Sequence, residues 1–308
     1  MFSVGILAGE GKWPEVMAEM LRTSGSRVSG WIDPRESSLP DTRQLIDISD
    51  LIWIPEKMNS GMEDAVQVIR RSRHLSLGFP VVDFIDDVHG MVKLAHEARV
   101  QVQVGHHDWY RPVVRSSLVH VCHPQSIRFT DYLPEALPGE SGRQVFRTIV
   151  ADLDLALGLA GSTVRKVRPH ASRLLGGDAF EIDIRVELHN GTLISLVVRK
   201  FAGIPERRME IIQPDGIITM DLLNQVSSKE DFPVEGTNSA TRRRVLWPPE
   251  GDDGAAARGV RPGEEESARQ CLSFIHALEK GRHSLSSLEG GFKALEITRQ
   301  IETVVGSF

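Results

Sequence analysis

The chain has 308 residues, of which 41% are hydrophobic and 25% are charged. This length predicts two hydrophobic cores, and the composition is typical of a folded globular protein, so disorder is excluded as the main state. A net charge of −6 at pH 7 gives no basic field to attract a phosphate backbone, which argues against nucleic acid as a partner.

The sequence carries no targeting signal that we recognise. Its first residues lead directly into an apolar run, without the basic segment and cleavage site of an export signal. No apolar run reaches the roughly 18 to 20 residues that a membrane helix needs, so we expect a cytoplasmic protein with no membrane partner. Cys122 and Cys271 lack metal or redox spacing and are expected to be reduced core thiols, and no metal site is predicted.

Residues 1–125 alternate short apolar runs with segments of helical periodicity. Strands are predicted at 2–8, 27–32, 51–54, 77–82 and 100–104, and helices after the first strand and at 58–73 and 86–98. Such alternation requires right-handed crossovers and gives a parallel sheet covered on both faces. The α/β fold class therefore begins with an N-terminal Rossmann doubly wound domain.

Residues 126–308 follow a different pattern, after a proline- and glycine-rich connection at 134–141. A helix is predicted at 143–160, and strands at 164–170, 180–188, 193–201, 209–213 and 216–222. Asn190-Gly191 and Asp215-Gly216 supply the positive φ of tight hairpins. This half is predicted to be a C-terminal α/β domain with a largely antiparallel open sheet.

Two further segments of this half are predicted to lie at the surface. Residues 248–267 have too few apolar groups to pack and are expected to form a mobile loop. The short basic clusters Arg207-Arg208 and 242–244 are expected in a solvated hairpin or loop.

A glycine turn follows the first strand and opens a helix. Gly9 allows the tight turn, Gly11 lets backbone amides approach a pyrophosphate, and the helix N-terminus adds partial positive charge. Asp33 ends the second strand, where a carboxylate accepts hydrogen bonds from a ribose diol, so NAD is favoured. Arg35 keeps NADP as an alternative, and a ligand-free turn also remains open.

Five segments in the correct order resemble the Gfo/Idh/MocA family of nicotinamide-dependent oxidoreductases. They are the strand and turn from Val4, VGHHDWYRP at 104–112, DLDLALGLAG at 152–161, and the tail segments FIHALE at 274–279 and SSLEGGFKALEI at 286–297. The resemblance implies a nicotinamide dinucleotide in the first domain, a small-molecule substrate on the second, a homo-oligomer, and hydride transfer at a sugar carbon or similar alcohol. The implied cofactor-binding residues are Gly9, Gly11, Lys12, Trp13, Asp33, Pro55 and His106.

The resemblance also implies catalytic positions, and this sequence departs from the family there. The lysine of a Glu-Lys-Pro motif falls on Phe79, and the aspartate and histidine of the helix fall on Arg147 and Ala151. Phenylalanine and alanine cannot accept a proton from a hydroxyl. His107 and Tyr110 are candidate replacements, and Arg147 is a candidate for binding an anionic substrate group or else a solvated arginine.

Two other functions stay open at this point. A non-catalytic dinucleotide- or sugar-binding pseudoenzyme with a sensor or partner role fits the loss of all three catalytic residues. The segment from Ala8 to Pro14 also resembles the opening of bacterial UDP-diacylglucosamine pyrophosphatases, although that likeness ends within the first ~30 residues while the oxidoreductase resemblance extends to Ile297.

Overall fold

The structure is a computed structural model that describes residues 2–7, 13–32, 39–55, 62–133, 141–173, 180–200, 203–233, 242–248 and 264–306. The chain divides into two compact units. Unit 1 contains residues 1–107 and 260–293, and unit 2 contains residues 108–259 and 294–308. The fold class is confirmed as α/β, because a parallel sheet with helices occurs in unit 1 and a mostly antiparallel sheet in unit 2.

Unit 1 is built on a five-stranded parallel sheet in the order β2-β1-β3-β4-β5. Its strands are β1 (Ser3–Leu7), β2 (Arg27–Ile32), β3 (Leu51–Ile54), β4 (His74–Leu77) and β5 (Val102–Gln103). Its helices are α1 (Trp13–Thr23), α2 (Leu39–Ile48), α3 (Glu63–Arg70), α4 (Val88–Ala98) and, from the distant part of the chain, α7 (Glu264–Glu279). All side chains of β1 and β3 are buried, as a central parallel sheet requires.

Helix α7 belongs to unit 1, although it lies far along the chain. The sequence predicts domains at 1–125 and 126–308, and the compact units of the structure divide at 107, with residues 260–293 in unit 1. The physical reason is burial, because Ala268, Cys271 and Phe274 of α7 join the same apolar core as Val4 and Trp53. Cys271 is buried as predicted, but Cys122 is exposed, which contradicts its prediction as a core thiol.

Unit 2 is built on an eight-stranded sheet in the order β13-β12-β11-β10-β6-β9-β8-β7. Only β6 and β9 among these neighbours run parallel. Its strands are β6 (Ser126–Leu133), β7 (Val164–Arg173), β8 (Phe180–Leu188), β9 (Leu193–Lys200), β10 (Glu206–Gln213), β11 (Gly216–Asp221), β12 (Val226–Asp231) and β13 (Arg242–Trp247). Its helices are α5 (Pro112–Leu118) and α6 (Ser141–Ala160), and the division between the units falls within α8 (Leu288–Val305).

Helix α6 packs on the sheet through one apolar stripe. Val145, Ile149, Leu153 and Ala156 recur at helical spacing and are fully buried, as expected for a helix that covers a sheet. The facing strands alternate buried and more exposed side chains along β8 and β9. This alternation gives the sheet one face toward α6.

Several predicted elements differ in their bounds. The strand predicted at 77–82 is β4 at His74–Leu77 followed by a 3₁₀ turn at Val81–Asp83, because Gly78 and Pro80 end the strand and the apolar run continues beyond it. The helix predicted at 58–73 is shorter, since α3 ends at Arg70. The basic clusters at 207–208 and 242–244 lie in strands β10 and β13. Of the predicted loop at 248–267, residues 249–263 lie outside the described residues, and α7 begins at Glu264.

Candidate functional site

The carboxyl edge of the parallel sheet has a topological switch point in unit 1. Strands β2 and β3 lie on opposite sides of β1, so the connections leaving β1 and β3 turn in different directions. Open α/β sheets bind ligands in the crevice that such a reversal creates outside the strand ends. Gly9 and Gly11 occur in the sequence between the end of β1 and the start of α1.

The described residues place part of the predicted dinucleotide set at this edge. Trp13 is the first residue of α1, and Pro55 is half-buried directly after β3. Gly9, Gly11, Lys12 and Asp33 lie outside the described residues, although β2 ends at Ile32 and so leads directly to Asp33.

Two glycines bring the ends of β3, β4 and β5 into close backbone contact. A Cβ on Gly78 would lie 2.0 Å from the carbonyl oxygen of Pro55, and a Cβ on Gly105 would lie 2.4 Å from the backbone nitrogen of Phe79. The Gly105 N–H donates to the carbonyl oxygen of Phe79 at 2.9 Å. Any side chain at either glycine would push these strand ends apart.

The candidate histidines lie just after β5. His106 is buried, and its Cε1 atom would lie 3.0 Å from a Cβ on Gly291, so this glycine of α8 lets the imidazole pack closely. His107 is half-buried and begins a 3₁₀ turn that ends at Tyr110, which is 2% exposed. Accessibility to a substrate is therefore greater for His107 than for Tyr110.

The three positions that the resemblance implies to be catalytic differ in burial and in neighbouring side chains. Phe79 is 7% exposed and contacts Phe84 edge-on, with ring centroids 5.7 Å apart. Arg147 is exposed on α6, and Ala151 is half-buried on the same helix. Neither Phe79 nor Ala151 offers a proton acceptor, and Phe79 is part of an aromatic pair instead.

Unit 2 contains a buried ion cluster that the sequence did not predict, which we call the Arg207 cluster. It comprises Arg207 of β10, Asp108 of the 3₁₀ turn, Asp131 of β6, Asp152 of α6, and Arg111 before α5. Arg207 donates to both carboxylate oxygens of Asp108, at 3.2 and 2.6 Å, and to Oδ1 of Asp152 at 2.9 Å. Its Nε lies 3.3 Å from Oδ1 of Asp131.

The neighbouring turn is fixed to the same cluster and to α6. Arg111 Nε lies 3.0 Å from Oδ1 of Asp108, and its Nη1 donates to the carbonyl oxygen of Leu222 at 2.6 Å. Trp109 Nε1 donates to Oδ2 of Asp154 at 2.8 Å. The structure thus brings together the VGHHDWYRP and DLDL segments, which lie far apart in sequence.

Burial dominates the electrostatics of the Arg207 cluster. It raises the pKa of Asp131 well above its usual value, and the nearby charge of Asp152 raises this pKa further. Burial also raises the pKa of Asp152, against the opposing effect of the Arg207 charge. Although burial by itself lowers the pKa of Arg207, the three carboxylates raise it well above its ordinary value, so the guanidinium stays charged.

The prediction of a solvated Arg207 is therefore wrong, and strand alternation explains why. Met209, Ile211 and Gln213 are buried at two-residue spacing along β10, which places Arg207 on the same face. Asp131 continues the buried alternation of Ile127 and Phe129 on β6, and it pairs directly with Arg207 across the two strands. This alternation was the sequence signal that could have identified both residues.

The part of the chain that the structure describes contains no group of three or more His, Cys, Asp or Glu side chains arranged to hold a metal ion. Among the helices of the described residues, none combines the length and the apolar composition that crossing a bilayer requires.

Comparison with known proteins finds similarity in structure only. No protein-family model matches the sequence, and no curated protein matches it. The UDP-N-acetylglucosamine 3-dehydrogenase GnnA from Acidithiobacillus ferrooxidans is similar with a TM-score of 0.69 and 19% identity, over 99% of this chain and 97% of that chain. The chain therefore shares its fold with that protein.

Two further similar structures are complexes with a nicotinamide dinucleotide. An oxidoreductase from Agrobacterium radiobacter in complex with NAD+, L-tartaric acid and magnesium has a TM-score of 0.65 at 15% identity, over 96% of this chain and 94% of that one. A biliverdin reductase from Synechocystis sp. PCC 6803 in complex with biliverdin and NADP+ has a TM-score of 0.60 at 15% identity, over 99% of each chain. At these identities the similarity establishes the shared fold.

Proposed function

We propose that this chain binds a nicotinamide dinucleotide at the switch point of unit 1 and is an oxidoreductase of the Gfo/Idh/MocA type. The observation that carries the proposal is the strand order β2-β1-β3, with the glycine turn of Gly9 and Gly11 in the connection from β1 to α1. In this arrangement backbone amides and a helix N-terminus face a pyrophosphate. The solved neighbours described with NAD+ and NADP+ support the same cofactor class.

The proposed reaction transfers hydride at a sugar or other small hydroxyl or carbonyl substrate. The nicotinamide supplies or accepts the hydride when bound, and the protein must move a proton at the substrate oxygen. We assign that proton to His107, with Tyr110 as the second candidate, because His107 is the more accessible. Arg147, exposed on α6, is proposed to bind an anionic group of the substrate.

Binding is tested by titrating the whole chain with NADH and with NADPH and following nucleotide fluorescence. We expect NADH to bind more tightly, since the carboxylate of Asp33 repels a 2′-phosphate. Gly11→Val should weaken binding because its side chain blocks the approach of backbone amides to the pyrophosphate. Gly90→Ala is the matched control, since an added Cβ there meets nothing within 4 Å. Equal binding by Gly11→Val and the unsubstituted chain would count against the site.

Turnover is tested with a panel of sugars and polyols, monitoring nicotinamide absorbance. His107→Ala should lower kcat at least tenfold if His107 exchanges the proton, since positioned acid–base catalysis contributes ~10²-fold or more. Unchanged rates in both His107→Ala and Tyr110→Phe would remove these residues from the mechanism.

A second function, a non-catalytic dinucleotide-binding protein, is favoured by one specific observation. The position of the implied lysine is held by Phe79, which is buried against Phe84. NADH binding without turnover across the whole panel would support this alternative.

A further inference from the structure

The Arg207 cluster contains carboxylate oxygens that no hydrogen-bond donor of the described residues reaches. Both oxygens of Asp131 and Oδ2 of Asp152 are buried in this way, and both residues are 0% exposed. The Arg207 Nε group is 3.3 Å from Asp131 but does not form an aligned hydrogen bond with it. Buried acceptors of this kind are costly unless they are satisfied.

The charges of the cluster also fail to balance when every carboxyl group is ionised. Three carboxylates, Asp108, Asp131 and Asp152, then face two guanidinium groups, Arg111 and Arg207. Among these five groups of the described residues one negative charge is in excess, and burial makes such an excess costly. A single added proton removes that charge and supplies the missing donor in the same place.

We propose that Asp131 and Asp152 hold one proton between them at neutral pH, with Asp131 as the carboxylic acid that donates to the Asp152 carboxylate. Asp152 keeps its ionic contact with Arg207 through Oδ1, at 2.9 Å, and its Oδ2 then accepts from Asp131. The shared proton joins β6 to α6, while Arg207 joins β10 to both. The shared proton thus stabilises the packing of α6 on the sheet of unit 2.

Within the part of the chain that the structure describes, the charged groups with known contacts around this pair are consistent with the assignment. Arg207 enters from β10, and Asp108 from the 3₁₀ turn is already held by two arginines. On α6, Asp154 accepts from Trp109. On β9, Val198 stands opposite Asp131, and Lys200 is the next buried position, with its Nζ 6.0 Å from the ring centroid of Phe180.

The direction of the pKa shifts supports the assignment and fixes its pH dependence. Burial and the charge of Asp152 raise the pKa of Asp131 well above 3.8, so the folded chain binds a proton that the unfolded chain has released. The stabilisation is complete below the unfolded-state pKa and is lost as pH rises through the folded-state pKa. Within that window the unfolding equilibrium constant increases by up to about tenfold for each pH unit.

The first test is infrared spectroscopy of the full chain at pH 7. A carboxylic acid C=O band is expected in the unsubstituted protein, and it should disappear in Asp131→Asn. Asp183→Asn is the matched control, since Asp183 lies on β8 of the same sheet with a side chain 38% exposed, and it should leave the band unchanged. If Asp131→Asn fails to fold, Asp152→Asn should also remove the band, because Asp131 then ionises beside Arg207. A band that is absent from the unsubstituted protein, or that persists in the variant, would overturn the proposal.

The second test follows urea unfolding over a pH series, with hydrogen exchange of peptides from β6 and β10 as the readout. The amide of Asp131→Asn donates to Asp152 without titrating, so this variant should lose the tenfold dependence on pH while the unsubstituted chain and Asp183→Asn retain it. Identical slopes in all three would refute a shared proton. Neither test requires nucleotide or substrate, so a failure here and a failure of the proposed function can be told apart.

Discussion

Arg207 forms hydrogen bonds with Asp108 and Asp152 and lies within ion-pair distance of Asp131, all in unit 2. Its side chain is 22% exposed, whereas the side chains of Asp131 and Asp152 are fully buried. Removing the guanidinium would leave charges that water cannot reach, and the cost of an uncompensated buried charge exceeds the net gain from forming the ion pair. Loss of the Arg207 side chain should therefore lower the free energy of unfolding much more than loss of a surface arginine does.

We expect Arg207→Gln to lower the free energy of unfolding of unit 2 by about 3–5 kcal/mol. The adjacent Arg208 provides the matched control, since its side chain is 46% exposed and pairs with Glu210 at 2.7 Å. Arg208→Gln should cost within about 1 kcal/mol, as exposed ion pairs do. Urea unfolding followed by circular dichroism measures both. Equal losses in the two variants would contradict the structural role given to Arg207.

At the scale of elements, α7 contributes to a core far from it in sequence. Its residues Ala268, Cys271, Phe274 and Ile275 pack with β1, β3 and α1 of unit 1. Gln270 of the same helix donates to the carbonyl oxygen of Leu77 at 2.8 Å, so it also caps the end of β4. This helix therefore completes the apolar core of β1, β3 and α1.

Phe274→Ala should therefore destabilise unit 1 by about 3–5 kcal/mol, the usual cost of truncating a buried aromatic side chain. Phe274 is fully buried and packs edge-on against His74, with ring centroids 6.4 Å apart. Hydrogen exchange should become faster in peptides from β1 and β3. Ser273→Ala, on the half-buried side of the same helix, is the control. Faster exchange in unit 2 but not in unit 1 would show that α7 packs elsewhere.

The elements that the sequence predicted correctly are those whose patterning is local. β2, β3 and β8 match their predicted bounds, since each is a continuous or alternating run ended by a turn residue. β12 was missed because its buried positions are Ser227, Ser228 and Lys229, which do not mark a strand by hydrophobicity. The sheet on which α7 packs could not be predicted from local patterning either, because an apolar stripe does not specify which surface will cover it.

The candidate site was predicted unevenly for the same reason. The placement of Gly9 and Gly11 between β1 and α1 follows from adjacent residues, and so does the prediction that Phe79 stands where the resembled family has a lysine. Asp131, Asp152 and Arg207 come from three separate elements, and no short motif links them. Their association depends on strand pairing between β6 and β10, which only the folded structure supplies.

At the scale of the whole molecule, the two units can be monitored separately through the cysteines. The chain has two cysteines. Cys122 is exposed in unit 2, whereas Cys271 lies in the core of unit 1, where burial raises the pKa of its thiol. The thiolate is the reactive form, so an aromatic disulfide reagent should react at once with one thiol and with the second only when unit 1 opens.

This difference makes Cys271 a test of cofactor binding that does not depend on catalysis. A ligand that binds only folded unit 1 reduces the population of the open form by the factor 1 + [L]/Kd, so NADH at one hundred times its Kd should slow the second reaction by about 100-fold. Cys122→Ser should abolish the fast phase and leave the slow one intact. Because Cys271 packs beside Val4 and Trp53 of β1 and β3, its protection reports on the two strands that flank the proposed switch point. If fluorescence shows tight NADH binding but the reaction of the Cys271 thiol is not slowed, the nucleotide binds outside unit 1.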